Sequence, residues 1–268
     1  NPSILILIAG LEAQSGQLES ALQNVNKALR KRPKAISFIL FKANILMALG
    51  DQQETLDWFE KSTRKNSRNL DIRLAEVRFL IKLEKSQEAL DKLQQIIQIW
   101  PDADEALFMA GLTAIDLKQY ELAEKYLVEL RDSDQYQNEA YYYLAINAER
   151  KDQLEAAKAY YRLVDGNLYT VSRRNLISIY SHQDRLNDAL RFLTQERVNY
   201  PQHASFLYLA QSEILKKMGI DSDIAINGIE ALNLLKEKEY DVVLMDIRMP
   251  LLDGYSATRI IKESLPDC

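Results

Sequence analysis

Cysteine is nearly missing from this chain of 268 residues: the one thiol is Cys268, the last residue. That excludes an internal disulfide framework and any cysteine-held metal, and leaves the redox compartment open. Histidine is almost as scarce. His182 and His203 stand 21 positions apart with no flanking ligand pattern, so both read as surface or loop residues rather than metal ligands or bases. No Gly-rich phosphate loop, nucleophile elbow or zinc-binding helix motif occurs, and Gly228 and Gly254 are isolated and read as turn residues. The one early apolar run, Ile4 to Ala9, has no basic stretch before it and polar helix sequence after it, which supports neither a signal peptide nor a membrane span. A chain that opens on Asn1 rather than Met reads as a fragment, with any targeting signal out of view. Positive charge is not in excess either: the net charge is −5 and the pI near 5.3, which argues against broad nucleic-acid or anionic-membrane binding.

What is present is ample for a core, with 47% hydrophobic and 27% charged residues, and the length points to two domains. Internal repetition dominates from Pro2 to Pro201. Ala21, Thr55, Ala89, Ala123 and Ala157 succeed one another at 34-residue steps, and Ala189 comes 32 later. Ala9, Ala43, Val77, Gly111 and Ala145 keep the same step in phase, Gly16 and Gly50 mark a turn, and Pro33, Ser67, Pro101 and Pro201 mark repeat ends. Two helices per repeat explain this: small residues where paired helices cross, Gly at the turn, Pro where the second helix stops. Leu18, Ala21, Leu22, Val25, Ala28 and Leu29 give the matching three- and four-residue spacing of one buried face. No single repeat buries such a face; a stack does.

In period and phase, from Leu11, Gly16, Ala21, Ala28 and Pro33 onward, the chain resembles the tetratricopeptide repeat family. The resemblance implies a mainly α fold, a right-handed superhelix of about six helix-turn-helix repeats over residues 1–206, divided near 2–35, 36–69, 70–103, 104–137, 138–169 and 170–203. Glu84, Lys118, Asp152 and Asp184 depart from the turn Gly and are expected to weaken their turns. The resemblance further implies a protein-binding scaffold whose first helices line a groove. Its lining falls on Leu40, Asn44 and Met47 in the second repeat, on Leu74, Arg78 and Lys82 in the third, and on Phe108 and Leu112 in the fourth. Tyr142, Ile146 and Arg150 come in the fifth, and Arg174 and Ser178 in the sixth. Such a face suits a peptide or helix held by apolar contacts, with Arg78, Lys82, Arg150 and Arg174 either offered to carboxylates or simply solvated. Ile6 and Gly10 stand where chaperone-tail adaptors of the family carry a basic residue and Asn, so that clamp is missing. Tyr136, Tyr141, Tyr142, Tyr143, Tyr160 and Tyr161 cluster in the fifth repeat, where consecutive aromatics mostly fill the core between repeats.

After Pro201 the register changes. Ala204 to Gly219 reads as another first helix, followed by a strand over 220–226, a helix from Asn227-Gly228 through Leu235, a strand over 241–245 and a helix from about Tyr255 to Glu263. Lys216-Lys-Met-Gly219, Ala225-Ile-Asn-Gly-Ile-Glu-Ala-Leu232 and Asp241-Val-Val-Leu-Met-Asp-Ile-Arg-Met-Pro-Leu-Leu-Asp-Gly254 resemble a response-regulator receiver domain, over residues 207–268. The resemblance implies a partial α/β, flavodoxin-like fragment with Asp246 as phosphoacceptor and Met249, Pro250, Asp253 and Gly254 shaping the loop after it. The family's acidic pair for Mg²⁺ would fall near Gln202-His203, which carries no acid, and its hydroxyl and Lys strands would come after Cys268. Mg²⁺ binding and phosphotransfer therefore need elements from elsewhere, and no other cofactor is implied. Two parallel strands alone leave unpaired edges that could pair with another copy.

Taken together, the expected function is a non-enzymatic scaffold that binds a protein partner, the receiver segment acting as a cap. The alternative is a bacterial two-component phosphorelay protein using Asp246, a reading that would favour the cytoplasm; the abrupt change of register points to a chimeric origin. A repeat protein of bacterial export or polysaccharide assembly is a third expectation, with no residue selecting it.

Overall fold

The computed structural model describes residues 1–264 apart from positions 244, 246 and 248. The expected phosphoacceptor Asp246 and the terminal Cys268 thus lie outside the described residues.

Helices succeed one another in hairpins: α1 (Pro2–Gln14) and α2 (Leu18–Lys31), α3 (Ile36–Leu49) and α4 (Gln52–Lys65), α5 (Leu70–Lys82) and α6 (Ser86–Ile99), α7 (Asp104–Asp116) and α8 (Tyr120–Glu129), α9 (Gln137–Arg150) and α10 (Leu154–Leu163), α11 (Tyr169–His182) and α12 (Leu186–Asn199). They form six helix-turn-helix pairs. The remaining helices are α13 (Ala204–Lys217), α14 (Gly228–Glu237) and α15 (Gly254–Ser264). The chain divides into two compact units, Asn1–Tyr160 and the residues from Tyr161 onward.

Local chemistry starts the helices where the sequence offers it. Asp51 Oδ1 accepts from the Glu54 N–H at 2.8 Å to open α4, and Asn69 Oδ1 accepts from the Ile72 N–H at 2.9 Å to open α5. At all six turns between paired helices the same position takes a positive φ. Gly16 and Gly50 have φ of 81° and 80°, and at the same repeat position Glu84, Lys118, Asp152 and Asp184 take φ of 58°, 59°, 57° and 54°. In the third repeat the Glu84 N–H bonds the Ile81 carbonyl at 2.9 Å and the Lys85 N–H reaches back to the Leu80 carbonyl at 3.0 Å. The fourth, fifth and sixth repeats repeat that pair of bonds, which satisfies carbonyls that a helix end leaves open. Non-glycine residues carry a conformational penalty there without altering the turn.

In the first unit the small-residue columns are core: Ala9, Ala21, Ala43, Ala89, Gly111, Ala123 and Ala145 are all buried. Polar members of those layers are paired. Buried Thr55 donates its hydroxyl to the Asp51 carbonyl at 2.7 Å, and buried Glu76 on α5 meets Lys92 Nζ on α6 at 2.6 Å. Gly111 is a packing requirement, because a Cβ there would lie 2.7 Å from the Leu127 side chain. No helix among the described residues is long and apolar enough to cross a membrane.

In the second unit the expected strands are not formed among the described residues. Residues 220–226 and the described part of 241–245 carry no strand pairing, with Ile220, Ile226, Val242 and Val243 exposed. The reason is physical: a parallel pair holds only when flanking strands and helices on both faces cover it, and here those apolar side chains meet solvent. The helices did form. Asn227 caps α14, its Oδ1 accepting from the Glu230 N–H at 2.9 Å, and Glu230 Oε2 accepts from the Ile226 N–H just before the cap at 2.8 Å. Gly228 and Gly254, expected at turns, are the first residues of α14 and α15.

Candidate functional site

Within Asn1–Tyr160 the first helices α3, α5, α7 and α9 present equivalent positions at 34-residue intervals. One column runs Leu40, Leu74, Phe108, Tyr142; the next runs Asn44, Arg78, Leu112, Ile146; a third edge runs Ala48, Lys82, Asp116, Arg150. Leu40, Phe108, Leu112, Tyr142 and Ile146 are half-buried and Asn44, Arg78, Lys82 and Arg150 exposed. Met47 is half-buried, whereas Leu74, 4% exposed, belongs to the core. In the second unit Arg174 is exposed and lies over the Phe206 ring at 5.6 Å, and Ser178 is exposed beside His182.

Arg78 is not a free receptor for carboxylates. Its Nε donates to Glu105 Oε1 on α7 at 3.1 Å and its Nη2 donates to the same oxygen. Glu105 belongs to an acidic column, Asp71, Glu105, Glu139, again spaced by 34 residues, which sequence reasoning passed over although the spacing was there to be counted.

Beside these acids lies an aromatic platform. The Phe108 ring sits 5.0 Å from Tyr136 and 5.6 Å, edge-on, from Tyr143, and Tyr142 meets Tyr143 edge-on at 5.3 Å. Tyr136, Tyr142 and Tyr143 are half-buried, while Tyr161 of the same run is fully buried, so the aromatic run fills the core only in part. Burial, with the charges of Glu105 and Asp104 next in effect, raises the Tyr136 phenol above its ordinary range. Burial, then Tyr142, Asp116 and Glu139, raises that of Tyr143. Acidic side chains thus border the platform.

The receiver-like loop is held by its own backbone. Met249 is half-buried and Pro250 exposed, and Leu251 takes a left-handed φ of 65°. Asp253 caps α15: Oδ1 accepts from the Ser256 N–H at 2.9 Å and Oδ2 from the Ser256 hydroxyl at 3.0 Å, which holds the carboxyl below its usual range. The buried Gly254 N–H bonds the Ile247 carbonyl at 3.1 Å. Gly228 approaches the same loop, its N–H bonding the Leu252 carbonyl at 3.2 Å, and a Cβ would stand 2.6 Å from that oxygen. Asp223 is engaged by Lys238 Nζ at 2.8 Å and the Tyr240 hydroxyl at 2.5 Å. Among the described residues no three His, Cys, Asp or Glu side chains converge on a point where a metal could sit.

Known proteins match both halves of this picture. A family model described as a tetratricopeptide repeat matches residues 104–130, and one described as a response regulator receiver domain matches 205–268. Histidine kinase 5 of Arabidopsis thaliana is 26% identical over 98 residues, 37% of this chain and 11% of that protein. Hybrid signal transduction histidine kinase B of Dictyostelium discoideum is 46% identical over 52 residues, 19% of this chain and 3% of that protein. The chain thus spans a small part of these curated relatives, 11% and 3% of their lengths. Among solved structures, a tetratricopeptide repeat protein from Parabacteroides merdae aligns with a TM-score of 0.57 at 16% identity, over 90% of this chain and 94% of that one. A Pseudomonas aeruginosa structure, titled as the functional characterization of pilF, aligns with a TM-score of 0.54 at 18% identity, over 81% of this chain and 97% of that one. At such identities the likeness is one of fold.

Proposed function

We propose that this chain, which carries tetratricopeptide repeats and a response-regulator receiver segment, is a non-enzymatic scaffold that binds a partner peptide or helix on the first-helix face of its repeats. Residues 207–268 act as a cap rather than as a working phosphoacceptor. The observation that carries the reading is the set of groove columns: Leu40, Phe108 and Tyr142, with Leu112 and Ile146, recur at the repeat interval and stay partly open to solvent. Half-buried apolar side chains in register along stacked helices suit helix-in-groove or extended-peptide recognition.

Photo-cross-linking tests it. A benzophenone amino acid at Leu112 should capture a partner in cells, and the same group at Gln87, on the second helix α6, should not. Equal capture at both sites, or none at Leu112, overturns the reading.

The alternative is a phosphorelay role in which Asp246 accepts a phosphoryl group. Its support is the receiver match over 205–268 and the resemblance to histidine kinases. Against it stands the engagement of two described acids of this segment, with Asp223 tied to Lys238 and Tyr240 and Asp253 spent on capping α15. Exposure to acetyl phosphate, read by intact mass with Asp246→Asn as control, decides: a phosphoryl adduct lost in the variant establishes phosphorelay chemistry and removes the cap reading.

A further inference from the structure

The groove treats two equivalent acids differently. Glu105 and Glu139 hold the same repeat position on α7 and α9, 34 residues apart. Glu105 is met by Arg78 from the preceding first helix, α5. The residue placed to do this for Glu139 is Leu112, the repeat equivalent of Arg78, which has no charge to offer. Among the described residues no cation pairs with Glu139. Its carboxylate lies close enough to Tyr136 and Tyr143 for its charge to raise both phenols.

From this difference we infer that Glu139, together with the Phe108, Tyr142 and Tyr143 rings, receives an arginine or lysine side chain of the partner peptide, in the place that Arg78 takes against Glu105 one repeat earlier. A cation over aromatic faces beside a carboxylate gains from both the ring quadrupoles and the ion pair. Asp71 and Asp116 add negative charge to this face, Lys82 and Arg150 lie along its Asp116 edge, and the chain as a whole is acidic at −5. First helices of stacked repeats lie roughly 10 Å apart, which matches basic residues at every third position of an extended segment or every seventh of a helix. The partner segment is thus basic and apolar in alternation, the reverse of the carboxylate ligand that Arg78 and Arg150 suggest in isolation.

This inference deepens the scaffold reading and rests on it. The test is fluorescence anisotropy of the full chain against a fluorescein-labelled lysine–leucine–alanine repeat peptide and its glutamate–leucine–alanine counterpart. The expected result is binding of the basic peptide in preference to the acidic one, weakened about fivefold or more by Glu139→Lys and by Tyr142→Ala, which corresponds to about 1 kcal/mol of lost contact. Asp102→Lys makes the same change in net charge on an exposed turn and should leave binding unchanged. Circular dichroism confirms that each variant is folded, and Tyr142→Phe, which keeps the ring, should retain binding. If the acidic peptide binds better and Tyr142→Ala abolishes it, the basic preference is wrong and the groove stands. Equal weakening by Asp102→Lys and Glu139→Lys also overturns the inference, by reducing it to net charge. If neither peptide binds, both the inference and the groove fail.

Discussion

Removing the Arg173 guanidinium should unfold the second unit well before the first. Arg173 is fully buried on α11, and its Nε donates to Glu196 Oε2 on α12 at 2.6 Å. Nη1 donates to the carbonyls of Tyr161 at 2.6 Å and Val164 at 2.9 Å, and Nη2 to that of Arg162 at 3.2 Å. The guanidinium lies 4.3 Å from the Tyr169 ring centre, and the Tyr169 hydroxyl donates to the same Glu196 oxygen at 3.0 Å. Arg173→Met keeps much of the volume but strips the donors from three carbonyls and leaves the Glu196 carboxylate, 9% exposed, with the phenol alone.

Breaking a buried pair from one side costs roughly 3–5 kcal/mol. The surviving Tyr169 bond places this case near the lower end, about 3 kcal/mol. For a unit of this size that is a fall in Tm of more than about 10 °C. Hydrogen exchange read by mass spectrometry should show early loss of protection in peptides from α11 and α12, with α3 to α6 unchanged. The double variant Arg173→Met/Glu196→Leu removes both charges and should recover about 2 kcal/mol relative to the sum of the single changes. Additive single effects, or a loss below about 1 kcal/mol for Arg173→Met, would refute the view that this pair and its carbonyl contacts hold α11 to α12.

Replacing the left-handed turn residues Glu84, Lys118, Asp152 and Asp184 by Gly should each raise stability by up to about 1 kcal/mol, nearly additively, seen as a higher urea midpoint at unchanged slope. Gly111→Ala forces its new methyl against Leu127, so a loss of about 1–2 kcal/mol is expected despite the better helix propensity; a neutral result would mean that Leu127 swings aside. Burial and the Glu196 charge raise the Tyr169 phenol well above its ordinary 10.0, so the folded state keeps a proton that the unfolded chain releases. Stability is then undiminished below about pH 10 and falls as pH rises past it, and Tyr169→Phe should flatten the fall in denaturation midpoint between about pH 9 and about pH 11.

How much of this was legible depends on distance along the chain. The hairpins were readable because a 34-residue period in small residues is a local signal repeated six times, so single departures could not hide it. Glu84, Lys118, Asp152 and Asp184 read as weakened turns, yet each takes the glycine conformation, because helix-end hydrogen bonds fix the turn and the side chain bears the strain. The engagement of Arg78 by Glu105 was hidden, since a bond across 27 residues depends on how two helices cross. The strand signal at 220–226 and 241–245 is strong in composition, but β pairing depends on neighbours that composition does not report, and the exposed Val242 and Ile226 show what happens without them.

The helix α13 explains why the change of register is so hard to place in the sequence. It opens at Ala204, so a boundary between 206 and 207 falls within its first turn. It packs on α12, and Gln211 Nε2 donates to the Thr194 hydroxyl at 3.0 Å. It also meets the segment after it: Ser212 is bonded to Ser222 at 2.8 Å, and Gln211, Ser212 and Leu215 line a cavity of about 330 Å³ with Ile224 and Leu235. Leu207, Ala210 and Ile214, at three- and four-residue spacing, give α13 one buried apolar stripe. One helix thus contacts both α12 and the residues after Gly219. Residues after Gly219 inherit a packed neighbour from the repeats, which is the physical sense in which they can serve as a cap.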